Sequence, residues 1–214
     1  MSYKLTFLLD PKNLWIEKYL KNYDFRINKK FKYKFLKNYL NVKNQDIVII
    51  LSYTKILGKS FLKKNKLNII VHPSKLPKNK GFAPVAYEVL KNKNKIYISL
   101  LKASNKVDSG PVAFQDHFYL DGTELSDEIR KKQAINTIKI VKRFLKKYPK
   151  VKFKDQVGKS NFNKKRTPKD SEINISKSIK SQFNLLRICN NDIYPCFFKY
   201  KGNTYLLKIN KKKF

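Results

Sequence analysis

The chain has 214 residues, 42% of them hydrophobic and 14% aromatic, and a formal net charge of +34. Length and apolar content suffice for a buried core and exclude a disordered chain, and no apolar run reaches the roughly 18 residues a membrane helix needs. The basic residues are scattered lysines, with Arg only at Arg26, Arg130, Arg143, Arg166 and Arg187. No RNA-reading aromatic motif or recognition-helix pattern accompanies them, which argues against a dedicated nucleic-acid binder. Where Lys is so common, an Arg marks a place that needs a planar, bidentate donor.

In chain order, residues 4–10 (KLTFLLD) read as a buried strand. Residues 11–23 read as a helix with Leu14, Ile16, Tyr19 and Leu20 on its apolar stripe, and 29–40 (KKFKYKFLKNYL) as a second, very basic helix. Residues 46–52 and 67–71 are continuous apolar strands. Such strands alternating with helices predict a Rossmann-like, mostly parallel sheet with helices on both faces. Residues 95–104 and 111–120 predict a longer, hairpin-type pair that extends the sheet, joined by the turn-rich NKVDSG. A long helix follows over 121–148, with Thr123 as expected N-cap, Glu124, Asp127 and Glu128 in its first turns and Lys146 and Lys147 in its last. Pro149 stops it. A polar connector (150 to about 172), a short helix (175–188) and a β-hairpin (196–209) complete the chain. The expected organisation is an α/β catalytic domain over 1–150, and a connector with a small helix-and-hairpin subdomain over 151–214.

The N-terminus lacks the long apolar segment and cleavage site of a signal peptide, so a cytoplasmic location is expected. Cys189 and Cys196 have no other soft ligand nearby, so no metal site is expected, and in a reducing compartment both remain free thiols.

Two features carry chemistry. His72 ends an apolar strand, where open α/β sheets bind ligands, and a loop stiffened by Pro73, Pro77 and Pro84 follows it. Asp108 lies in the VDSGP turn. A His and an Asp meeting in one cleft form an acid–base pair. The segment LSYTKILGKSFL (51–62) could wall that cleft. Taken alone, these residues leave an α/β enzyme of unknown reaction.

HPSKLPKNKGFAP (72–84) resembles the signature loop of the folate-dependent formyltransferases, VDSGPV (107–112) their second motif, and LSYTKILGKSFL the segment lining their folate pocket. The resemblance covers about 46–148. It implies transfer of a formyl group from 10-formyltetrahydrofolate to a primary amine, with His72 and Asp108 catalytic. It further implies Leu51, Tyr53, Ile56, Leu57, Gly81, Pro84 and Val107 around the folate. The chain departs from the family at Ile70, where the family's strand carries a catalytic Asn. Asn68 shares a strand face with Ile70 and His72 but lies roughly 6.6 Å further along than the missing amide.

The stretches KKRTPKDSEI and FNLLRI, with the C-terminal hairpin, resemble the sugar N-formyltransferases. That resemblance implies a nucleotide-linked 4-amino-4,6-dideoxyhexose or related surface-glycan precursor as acceptor, bound by Ser74, Lys80, Arg166 and Arg187. The alternatives are a methionyl-tRNA-directed enzyme and, because of Ile70, a non-catalytic folate or nucleotide-sugar binder. The hairpin, with Phe197, Phe198 and Tyr205, could pair two copies of the chain or pack on its own domain.

Overall fold

The computed structural model describes residues 2–212 and contains a six-stranded sheet. Its strands are β1 (Tyr3–Leu9), β2 (Phe31–Leu36), β3 (Ile47–Leu51), β4 (Leu67–His72), β6 (Lys95–Lys102) and β7 (Val112–Tyr119), in the order β2-β1-β3-β4-β6-β7. The first four are parallel, whereas β6 runs antiparallel to β4, and β7 to β6. Strand β3 is buried at every position, as its unbroken IVIIL run requires.

The segment 29–40 is a correction: it contains β2, not a helix. Phe31, Tyr33 and Phe35 alternate with Lys32 and Lys34, which is the period of a strand. Phe31 is buried, and Tyr33 and Phe35 pack on Phe7 of β1. Strand β2 is also the sheet edge, and its two lysines face solvent, which blocks pairing with another chain. The predicted helix over 11–23 shrinks to a 3-10 turn at Leu14–Ile16 and α1 (Glu17–Leu20).

The long helix is α4 (Ser126–Lys147). Its apolar face, including Ile129, Ile138, Val141, Phe144 and Leu145, is buried. Thr123 is not its N-cap; it bonds locally to Asp121, and the chain enters the helix at Leu125, whose N–H donates to the Glu128 carboxylate. Two short helices flank the site, α2 (Lys59–Lys63) and α3 (Pro84–Leu90). Beyond α4, the two-residue strand β8 (Phe162–Asn163) pairs with β5 (Lys80–Gly81). Helix α5 (Ile179–Ile188) and the antiparallel hairpin β9 (Cys196–Tyr200) and β10 (Asn203–Leu207) enclose a small core of Ile173, Leu186, Cys189 and Cys196. Both cysteines are free and buried, and the hydrogen bond between them lowers the Cys189 thiol to about 7 and raises that of Cys196. Among the described residues no helix is long and apolar enough to cross a membrane.

Candidate active site

His72 closes β4 and is 6% exposed. Its Nε2 lies 2.8 Å from the Asn79 carbonyl oxygen. A carbonyl can only accept, so Nε2 carries a hydrogen. Nδ1 lies 3.4 Å from Asp108 Oδ2. A proton arriving at Nδ1 therefore sits between imidazole and carboxylate.

Topology makes the pairing of His72 with Asp108 non-trivial. Because β6 is antiparallel to β4, it ends beside Ile69, and the Ala103 N–H donates to the Asn68 carbonyl. The 103–111 loop must climb back along β4, roughly 10 Å, to bring Asp108 to His72. Three contacts hold it there. Asp108 Oδ2 accepts from the Gly81 N–H at 2.8 Å, and the Gln156 amide donates to the carbonyls of Asp108 (2.7 Å) and Gly110 (2.8 Å). Asp108 itself has φ +47°, a strained value for a residue with a side chain. Gly110 is sterically required, since a Cβ there would lie 1.8 Å from the Lys102 oxygen.

The signature loop is fixed from its other side. Asn79 receives a bond from Asn161 and donates to Glu88 Oε1, and the N–H groups of Lys80 and Phe82 donate to Asn161 and Asn163. Gly81 (φ +86°) lies so close to Asn163 that a Cβ would meet its oxygen at 2.8 Å. Residues 154–163, expected as an irregular connector, thus strap the loop to the Asp108 turn. Gln156 and Asn161 escape sequence reading because nothing local distinguishes them from the chain's many other polar residues.

His72, Asp108, Lys80 and Gly81 converge. Lys80 is 6% exposed, and its Nζ donates to Ser109 Oγ at 2.8 Å, beside Asp108. Ser74 is buried in the same loop, its N–H bonded to the His72 carbonyl and its hydroxyl without a partner among the described residues. Pro84 is buried at the start of α3, and Val107 stands partly exposed beside Asp108.

The segment after β3 divides. Leu51 and Leu57 are core residues, Tyr53 is half-buried, and Ile56 projects into solvent. Asp10, at the end of β1, anchors this segment through the N–H and hydroxyl of Thr54. Burial pushes the Asp10 carboxyl up, but the bonds from Thr54 and Lys12 outweigh that and leave it below the usual carboxylate range.

Ile70 packs with the apolar cluster of Leu8, Val48, Ile50, Leu57 and Phe61, and so brings no polar group to the site. Asn68 does not substitute for an amide there, because its Nδ2 donates to the Leu62 carbonyl.

The two arginines lie elsewhere. Arg166 is half-buried in the connector and donates to the Asp170 carbonyl. Arg187, expected as a substrate donor, is a correction. It is 1% exposed on α5 and faces Glu124 at 3.6 Å, an internal ion pair.

The formyl transferase domain model matches residues 10–144, well over half of the chain. The chain belongs to the formyl transferase family. A methionyl-tRNA formyltransferase of Thermotoga maritima is 30% identical over 122 residues, which are 56% of this chain. The chain spans only 38% of that relative's length. The fold matches the methionyl-tRNA formyltransferase from Clostridium thermocellum at a TM-score of 0.83 and 18% identity, over 99% of this chain and 94% of that one. It matches a sugar N-formyltransferase from a Shewanella species at 0.73 and 13%, over 99% of each. The matched range contains both His72 and Asp108, the pair assembled by β4 and the 103–111 loop.

Proposed function

We propose that the chain transfers the formyl group of 10-formyltetrahydrofolate to the primary amine of an amino sugar, a nucleotide-linked 4-amino-4,6-dideoxyhexose or a related surface-glycan precursor. The observation that carries formyl transfer is the buried His72–Asp108 pair, locked by contacts from Gly81 and Gln156. The donor's flat ring system calls for apolar side chains with backbone polar groups near the reacting atoms. Tyr53, Ile56 and Val107 on the loops after β3 and β6, with the fixed backbone of 79–82, fit that requirement.

The donor supplies an activated formyl carbon. The chain's own residues manage protons and charge. An amine enters as ammonium and must lose a proton before it attacks. The Asp108 carboxylate takes that proton, with His72 Nδ1 alongside to share it. The attacking nitrogen gives up a second proton once it has added to the formyl carbon; of the two protons released, one is delivered to the departing nitrogen and the other leaves to solvent. Burial of both groups strengthens these interactions by excluding water.

The sugar acceptor is supported by the resemblance of KKRTPKDSEI and FNLLRI to the sugar N-formyltransferases, whereas the full-length fold likeness is shared with a methionyl-tRNA formyltransferase and does not choose between acceptors. A second acceptor, methionyl-tRNA, is favoured by the +34 charge and by the Thermotoga maritima relative. Parallel assays with amino-sugar nucleotides and with initiator methionyl-tRNA separate the two. Formylation of tRNA at a rate that falls steeply between 50 and 200 mM salt would favour the second reading.

A further inference from the structure

Formyl transfer places negative charge on the formyl oxygen as the amine adds, and that oxygen needs a donor already in place. The donors around the centre are mostly committed. The Nε2–H of His72 goes to the Asn79 carbonyl, and Nδ1 faces Asp108. The Gly81 N–H goes to Asp108, the Ser74 N–H to the His72 carbonyl, and the Asn68 amide to Leu62. The Ile70 side chain has no polar atom, and its backbone lies in the sheet between β3 and β6.

Lys80 differs. Its backbone lies between the two residues that hold His72 and Asp108, and its side chain is buried beside Asp108 with the Phe162 ring 5.7 Å from the ammonium. Ser109 Oγ accepts one of its three protons. Ser109 Oγ in turn donates to the Val107 carbonyl, which fixes its lone pairs toward the ammonium. A lysine removed from water and held at one point still has protons to give, and it brings a full positive charge. Burying such an ammonium is costly unless it is paired and hydrogen-bonded, and here only the Ser109 hydroxyl accepts from it, with no carboxylate paired to it among the described residues.

We infer that Lys80 Nζ is the donor that stabilises the developing negative charge on the formyl oxygen. This rests on the formyl-transfer reading above. No bond to Lys80 forms or breaks. Its ammonium stays protonated throughout, while the amine's proton travels by way of Asp108 and His72.

The test compares wild type, Lys80→Met, Lys80→Arg and Ser74→Ala in the full chain. It reads single-turnover formyl transfer from 10-formyltetrahydrofolate, tetrahydrofolate affinity and thermal midpoint. Lys80→Met is expected to lower the transfer rate about 10²- to 10³-fold, the usual cost of one such donor. Tetrahydrofolate, which lacks the formyl oxygen, should bind within threefold of wild type, and Lys80→Arg should regain a large part of the rate. A Lys80→Met protein that is folded and transfers within threefold of wild type would overturn the inference. So would a raised acceptor KM with unchanged kcat, which would make Lys80 an acceptor-binding residue. A large loss in Ser74→Ala without one in Lys80→Met would assign the role to the unpartnered Ser74 hydroxyl. If wild type neither binds tetrahydrofolate nor consumes the formyl donor, the formyl-transfer reading itself fails, and this inference with it.

Discussion

Gln156 shows how a residue remote in sequence can set the geometry of a site. Its two hydrogen bonds hold the backbone on either side of Ser109 and keep Asp108 in a left-handed conformation. Gln156→Ala leaves the carbonyls of Asp108 and Gly110 without that donor. It should cost about 1–3 kcal/mol of stability and, by loosening the turn, lower kcat about 10- to 100-fold. Urea unfolding and steady-state kinetics measure the two effects, and tetrahydrofolate affinity should stay near wild type. Such a residue was not legible in the sequence, because its role depends on a connector that returns over 46 residues to the turn. His72 and Asp108 were legible for the opposite reason. A rare histidine ending an apolar strand and an aspartate before Ser-Gly are local signals, and the residues between them fit a known pattern.

At the scale of elements, Arg187 links α5 to the start of α4. Burial pushes its guanidinium below the usual range, against the pull of Glu124 and Asp121. Glu124 also accepts from Lys132 and from the N–H groups of Asp121 and Gly122, so removing the arginine does not leave the carboxylate bare. Arg187→Ala should therefore destabilise by about 3 kcal/mol, the lower end for a broken buried pair, as read from denaturant midpoints. Scarcity of Arg singled out Arg187, which the structure buries opposite Glu124 at 3.6 Å rather than in a bidentate hydrogen-bonded pair. The strand β2 illustrates a different failure. Its Phe31-Tyr33-Phe35 alternation is a period-two signal, yet the lysines between and the leucines after it also fit a helical stripe, and the tertiary pairing with β1 decides. Strands β1, β3 and β4 were legible because their apolar runs are unbroken and bounded by polar residues.

For the whole molecule, the charge sets the response to salt and acid. At +34 the lysines repel one another across the surface, and raising ionic strength from about 10 to 200 mM should raise the thermal midpoint in scanning calorimetry. The carboxylates respond to pH in a fixed direction. Lys66 and the Lys4 N–H hold Asp46 below the usual range, and Thr123 holds Asp121 at about 2. Asp10 and Glu124 are lowered too, by bonds that outweigh their burial. Folded values below unfolded ones stabilise the native state above the unfolded carboxylate pKa of about 4. That stability is lost as pH falls through the folded values. Unfolding midpoints measured from pH 6 down to pH 2 should decline over that window, steepest below about pH 4.

The most direct measurement of formyl transfer is product formation from 10-formyltetrahydrofolate and a panel of amino-sugar nucleotides, with wild type and Asp108→Ala side by side. Wild type should formylate at least one amine, while Asp108→Ala, folded and still binding tetrahydrofolate, should lose at least about 10²-fold in rate. An Asp108→Ala protein that turns over near the wild-type rate would contradict the assignment of the His72–Asp108 pair as the formyl-transfer centre.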